Sequence, residues 1–200
     1  EVLVAQHSDK DIDILKAKSI ELENLKTHKV YEEVENQRQS FISVRWVIQK
    51  YNGDNMYYKA RLVARGFEES NLNEIRKDSP TCCKQNFRLL LAIVVTNKWK
   101  VHSWDRKAAF LQSNKINRDV YLKPPSEAGT KNLWKLNISI YGLCDAPRAW
   151  YLSLKSVLEK GGAKKSKYDD DVFYLFDNYK LKGILCANVE DFCWGGSTLF

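Results

Sequence analysis

Two adjacent carboxylates, Glu190 and Asp191, lie in "CANVEDFCWGG" between short apolar runs, and a third, Asp105, closes the segment "VHSWD". Acids at the ends of strand-like segments suit phosphoryl and nucleotidyl transfer. That chemistry uses shared carboxylates to hold two Mg²⁺ ions about 4 Å apart, so that attacking and leaving oxygens are both stabilised. Mg²⁺ takes one or two protein carboxylates and completes its octahedron with water and substrate phosphate, so three acids suffice. If the strands carrying them are neighbours in one sheet, the three carboxylates converge. If they are not, the doublet is two acids in a solvated turn, and spacing alone leaves both readings open. The run Asp169 to Asp171 is equally acidic but lacks a hairpin context, and it reads as a solvated lead into the strand "VFYLF".

A second group of candidates carries the opposite charge. "FISVRWVIQKY", then Asn52-Gly53, then "DNMYYKARLVARGF" alternate with period two, and Asn-Gly between two such runs signals a hairpin. Side chains alternate across a strand, so Lys59, Arg61, Val63 and Arg65 share one face, while Tyr58, Ala60, Leu62 and Ala64 share the other. The second face can pack. The first is either a solvated basic surface or a clamp for phosphates, whose oxygens accept charge-assisted hydrogen bonds from Arg and Lys.

These candidates need elements to position them. Residues 11–27 place Ile14, Leu15, Lys18, Leu22 and Leu25 at three- and four-residue spacings behind Asp caps, an amphipathic helix. Residues 86–99, "NFRLLLAIVVTNKW", are apolar nearly all round and predict a buried helix capped by Asn86. "VHSWD" is a short strand, "AAFLQS" a turn, and "VYLKPP" and "LWKLN" further strands. After "YGLCDAPRAW" a helix of about fifteen residues has Pro147 near its first turn and Trp150, Leu154 and Leu158 on one stripe, and Gly161-Gly162 ends it. The last third alternates again through "VFYLF", the turn "DNYK", "LKGILCANV" and "FCW", with Gly195-Gly196 ending the returning strand. Antiparallel strands with helices between them predict an α+β fold.

At 200 residues with 44% apolar content the chain can bury a real core, as one domain or two small lobes. Thirty-two Lys and Arg against twenty-five Asp and Glu give a charge of +7, compatible with a polyanionic partner. Five cysteines form no CxxC pair and three histidines lie far from them, which argues for free thiols and against structural zinc. Nothing at the N-terminus reads as a signal peptide, and no apolar run approaches the roughly 20 residues that span a bilayer.

The ordered blocks "KARLVARGF", "DRKAAFL", "VYLKPP", "YGLCDAPRAW" and "NVEDFCWGG" resemble the reverse transcriptase domain of copia-type retrotransposon polyproteins, from about Leu22 to the end of the chain. The resemblance implies the fingers and palm of a right-handed polymerase, an antiparallel sheet with packed helices, with residues 1–85 fingers-like and 86–200 palm-like. By the same match Asp105, Glu190 and Asp191 are the catalytic and metal-binding acids, holding Mg²⁺ or Mn²⁺. Lys59 and Arg61 belong to the hairpin that closes on the incoming triphosphate, with Arg65 on the same face. Phe110 falls where related enzymes carry an aromatic ring under the incoming sugar; on its own it would read as core. Gly142 resembles the glycine that lets template and nucleotide lie close to the backbone. The implied partners are an RNA or DNA template with primer and a deoxynucleoside triphosphate, in the cytoplasm within a virus-like particle or in the nucleus, without secretion. Oligomeric state is left open.

The sequence departs from the family's pattern at several places. The closing block usually has Asp-Asp, and here reads Glu190-Asp191, so the first acid is one methylene longer. A misplacement of about 1 Å in a catalytic constellation can cost on the order of 10²-fold in rate. Asp145 stands where the family usually has Gln, "LQS" where it has Leu-Asn-Gly, and Arg106 where it has Val, either competing for Asp105 or pointing away across the strand. No thumb, connection or ribonuclease H region follows Phe200, so a fragment or decayed copy of a longer polyprotein is expected. Three functions compete: an RNA-directed DNA polymerase, a nucleic-acid-binding relic that no longer catalyses, and an unstable product without function.

Overall fold

The structure is a computed structural model and describes residues 2–3 (backbone only), 12–52, 56–70, 72–106 and 108–197. In chain order its elements are β1 (Val2–Leu3), α1 (Ile12–Thr27), β2 (Tyr31–Val34), β3 (Val44–Tyr51), β4 (Tyr57–Ala64), α2 (Lys84–Thr96), β5 (Lys100–Asp105), β6 (Tyr121–Leu122), β7 (Leu133–Leu136), α3 (Ala146–Lys160), β8 (Lys164–Lys165), β9 (Val172–Asp177), β10 (Lys180–Asn188) and β11 (Asp191–Gly196). Single 3₁₀ turns cover Gly66–Glu68, Ala109–Gln112 and Ser126–Ala128. Every pairing between these strands is antiparallel, which with the helices is an α+β fold. The chain forms two compact units, residues 1–76 with 110–146, and residues 77–109 with 147–200.

The first unit contains the sheets β1-β3-β4 and β2-β7-β6. The β3–β4 hairpin has Tyr51 opposite Tyr57, so residues 52–56 connect the strands. Gly53, on which the expected Asn-Gly turn depends, lies outside the described residues, as does Asp11 at the expected start of the first helix. β4 alternates as its sequence dictates: Ala60, Leu62 and Ala64 are buried, and Lys59 and Arg65 on the other face are exposed. Helix α1 covers the apolar face, with Ala17 packed against Ile48 and Ala60. It also buries two charges. Lys18 pairs with Glu127 at 2.7 Å, and Glu21 accepts the Leu62 N–H at 3.3 Å while burial pushes its carboxyl up. In the other sheet Trp134 is fully buried and stacks on Tyr31 with ring centroids 3.9 Å apart.

The second unit is built on the five-stranded sheet β5-β11-β10-β9-β8. Helix α2 differs from expectation in two ways. Its N-cap is Cys83, and Asn86 sits three residues further in, where its side-chain amide donates to Asp169 Oδ2 at 2.5 Å. Only Leu90 and Val94 are fully buried, against Val172, Ile184 and Cys186, whereas Leu89 and Val95 are exposed. A single sheet face meets the helix, so only one stripe can bury, each such side chain contributing about 1.5–3 kcal/mol. Gly195 lies inside β11 rather than after it: a Cβ there would stand 2.4 Å from a Val94 methyl, so the missing side chain lets α2 approach the sheet.

The Asp169–Asp171 run is a solvated lead only in part: Asp170 is exposed, but Asp171 is not. Asp171 is 2% exposed, its N–H donates to Asp169 Oδ1, and its carbonyl accepts the Ala187 N–H. Asp171 lies where the chain enters β9, and its carbonyl is bonded by Ala187 near the end of β10, a contact between segments apart in sequence that period-two reading could not foresee. The five cysteines are unpaired, and among the described residues no helix is long and apolar enough to cross a membrane.

Candidate functional site

Asp191 is the first residue of β11 and Asp105 the last of β5, and the two strands pair with Asp191 directly opposite Asp105. The next step of the ladder is a hydrogen bond, Arg106 N–H to Glu190 O at 2.9 Å. Antiparallel pairs alternate between bonded and non-bonded, so Asp105 and Asp191 form a non-bonded pair. In such pairs the Cα atoms are about 4.5 Å apart and the side chains leave on one face. Both aspartates are exposed. Two carboxylates therefore stand side by side at one end of the sheet, from strands distant in sequence.

Glu190 occupies the turn that joins β10 to β11. Asn188 pairs with Asp191, so Val189 and Glu190 form a two-residue loop. Val189 has φ of 53°. A positive φ at the first central position of such a loop normally selects glycine, and a β-branched residue there is strained by about 1–3 kcal/mol. Trp150 of α3 restrains this turn, its indole N–H donating to Val189 O at 2.6 Å while its ring meets Phe192 edge-on at 6.5 Å between centroids.

Arg106, the cation beside Asp105, points away across the strand. Its guanidinium lies 5.6 Å from the centroid of the Trp104 ring, on the face of β5 opposite Asp105.

The donor set suits a hard divalent cation: carboxylate oxygens only, solvent-accessible, two of them adjacent. Among the described residues no three His, Cys, Asp or Glu side chains gather into a ready metal-binding group. Mg²⁺ needs only one or two protein carboxylates when substrate phosphate supplies the rest, so the Asp105–Asp191 pair fits without a third. Glu190, the neighbouring turn residue, lies at the same end of the sheet, opposite Arg106 in the ladder.

The residues matched to nucleotide binding all lie in the first unit. Arg61 Nη1 donates to Gln49 Oε1 at 2.7 Å, and its guanidinium lies 5.3 Å from the Tyr141 ring centroid. Phe110 meets the same Tyr141 ring edge-on, with centroids 4.9 Å apart. Arg61 and Phe110 are thus brought together through Tyr141, while Lys59 lies two residues along the same face and is exposed. Gly142 has φ of 90°, and a Cβ there would stand 2.1 Å from Ala64 O. The Tyr-Gly-Leu turn lies directly on the end of β4, bonded by Ala64 N–H to Tyr141 O at 2.8 Å. The glycine requirement is met here by the protein's own backbone.

Asp145 also has a partner. Arg118 reaches Asp145 at 3.1 Å and the buried Glu69 at 2.5 Å, tying the segment after β4 to the start of α3's first turn. The sequence carries no signal for the contacts of Tyr141, Gln49 and Arg118, and marks Trp150 only as part of a helix stripe. Gln49 faces Lys59 across the hairpin, a register that the Asn52-Gly53 signal does not fix because residues 52–56 connect the strands, and the other contacts are long-range and leave no local signal.

The model of the reverse transcriptase (RNA-dependent DNA polymerase) family matches residues 26–198. The chain is 34% identical over 144 residues to a retrovirus-related Pol polyprotein from transposon RE1 of Arabidopsis thaliana, covering 68% of this chain and 10% of that protein. It is 32% identical over 182 residues to a retrovirus-related Pol polyprotein from transposon TNT 1-94 of Nicotiana tabacum, covering 86% of this chain and 13% of that protein. It is 27% identical over 136 residues to the truncated transposon Ty1-A Gag-Pol polyprotein of Saccharomyces cerevisiae, covering 67% of this chain and 11% of that protein. The chain thus spans about a tenth of the length of these relatives. With the family model covering most of its length, the chain belongs to the reverse transcriptases, RNA-directed DNA polymerases, of copia-type retrotransposon Pol polyproteins.

Proposed function

We propose that the chain acts as the nucleotidyl-transferring part of such a polymerase, adding deoxynucleotides to a primer 3′-OH on an RNA or DNA template. In this reading residues 1–85 are the fingers and 86–200 the palm. The observation that carries it is the Asp105–Asp191 pairing, which puts two acids on one face at one strand end. Asp105 and Asp191 hold Mg²⁺ or Mn²⁺, and Glu190 contributes from the turn. A bound divalent cation supplies charge neutralisation at the transferring phosphate and lowers the pKa of the primer hydroxyl. Lys59 and Arg61 donate charge-assisted hydrogen bonds to the triphosphate oxygens. Phe110 packs beneath the sugar and excludes a 2′-OH by its bulk, and Gly142 keeps the backbone low beside the nucleotide.

A second reading is favoured by one observation, the Glu at position 190. Its extra methylene displaces the carboxylate, and a chain so altered could retain nucleic-acid binding through its cationic β4 face without catalysis. Primer extension on poly(rA)/oligo(dT) with Mg²⁺ and with Mn²⁺, run on this chain and on Glu190→Asp, separates the two. Incorporation by the parent, raised by up to about 10²-fold in Glu190→Asp, supports polymerase activity. No incorporation by the parent with either metal, together with incorporation by Glu190→Asp, leaves the binding reading.

A further inference from the structure

Glu190 is held through its backbone on both sides. The carbonyl before it, Val189 O, accepts the Trp150 indole N–H at 2.6 Å, and its own carbonyl accepts the Arg106 N–H at 2.9 Å. Trp150 is 7% exposed, so losing this partner would leave a largely buried donor short of its hydrogen bond. Val189 holds a left-handed φ of 53° that valine adopts only when its surroundings impose it. The strand-end ladder fixes one side of the loop, and the helix supplies the restraint on the other.

We propose that Trp150 is a positioning residue for the acidic strand end. Its N–H pins the Val189 carbonyl, which sets the peptide plane leading into Glu190 and the direction in which that carboxylate leaves the turn. The inference rests on the reading of Asp105, Glu190 and Asp191 as metal ligands, and it adds a residue that touches neither metal nor substrate. Arg106 contributes through its backbone amide, which explains how a cation is tolerated beside Asp105: its useful atom here is the main-chain N–H, and its guanidinium is on the other face, over Trp104. Side groups that orient metal ligands typically change affinity by 10–100-fold when removed.

The test uses Trp150→Phe, which keeps an aromatic ring on the Phe192 side and loses the donor together with part of the indole's volume. Mn²⁺ binding is followed by electron paramagnetic resonance, with Asp105→Asn marking binding at the acidic pair, and hydrogen exchange is read on the peptide covering residues 186–193. Expected are faster exchange at the turn, an unchanged circular dichroism spectrum, and Mn²⁺ affinity weakened about tenfold. Unchanged exchange overturns the inference, because the restraint is then absent. Faster exchange with unchanged Mn²⁺ affinity also overturns it, because the turn then moves without consequence for the ligands. A parent that binds no Mn²⁺ sensitive to Asp105→Asn sinks the metal reading, and the positioning role falls with it. The exchange data still report separately whether the hydrogen bond restrains the turn. Should Trp150→Phe fail to fold, Phe192→Leu provides the reciprocal control: it loosens the ring packing and leaves the donor, and on this inference it retains parental Mn²⁺ affinity.

Discussion

The β3–β4 and β10–β11 hairpins share one geometry and carry opposite charge. In the first, Lys59 and Arg61 follow one another along a single strand, with Arg65 just past its end, and period two alone puts Lys59 and Arg61 on one face. In the second, the acids owe their proximity to a strand that is no part of the hairpin: β5 pairs with β11 so that Asp105 meets Asp191. The connections differ as well. Residues 52–56 join the cationic strands, whereas two residues, one of them a strained valine, join the acidic ones. A charged face made by one strand needs no second strand to assemble it. A cluster made by two strands is only as well placed as its register, and its turn is therefore held from outside.

That contrast predicts different failures for the two regions. The largest effect is expected at the acidic pair. Asp105→Asn removes a ligand and should lower primer extension by at least on the order of 10²-fold, mainly in kcat, with triphosphate binding retained. Steady-state kinetics check it, and a change confined to KM would break the comparison by moving Asp105 to the binding side.

Next is Gly142→Ala. The new methyl would press into Ala64 O at a φ of 90°, and the strain of about 1–3 kcal/mol should lower the urea midpoint of the first unit. An unchanged midpoint would mean that the turn does not sit on β4 in solution.

Arg61→Ala should raise KM for the deoxynucleotide about tenfold and leave kcat within a few-fold, because it removes a charge-assisted donor to phosphate and no metal ligand. It also loses the contacts to Gln49 and Tyr141, so Arg61→Lys is the sharper comparison: charge is kept and the planar stacking is lost.

The smallest effect concerns an acid that belongs to neither site. Burial, and then the neighbouring Asp169 and Asp170, push the Asp171 carboxyl up to about 7 from its ordinary 3.8. A folded value above the unfolded one means that the stability from the uncharged group is complete below about pH 4 and is lost as pH rises through 7. Asp171→Asn has no charge to bury, so its melting temperature should gain on the parent between pH 4 and 8, as a thermal melt series would report. A constant difference across that range would place Asp171 in a wetter environment. The metal dependence of any activity should not change, which separates this acid from Asp105 and Asp191.

Much of this was legible before any coordinates. The α+β class, the β3–β4 hairpin, the fifteen-residue α3 with Trp150, and the strand ending at Asp105 all follow from local periodicity and breakers. Helix α2 is capped three residues earlier than its sequence predicts, because Asn86 has a capper's chemistry yet spends its amide on Asp169. The burial of Asp171 leaves no trace in the sequence for a similar reason: burial of an acid depends on what folds over it. Asp145, which departs from the family's usual Gln, has a partner in Arg118 that no spacing rule would suggest.

The sequence by itself determined which residues are charged, which face of each strand they leave from, and, through five ordered blocks, the family. Those properties are local or additive along the chain, so they need no third dimension. Only the tertiary structure decided that Asp105 stands opposite Asp191, that Arg106 turns to Trp104, and that Trp150 pins the turn bearing Glu190. Each of these depends on register or packing between segments far apart in the chain, where a slip of one residue would send every side chain to the other face.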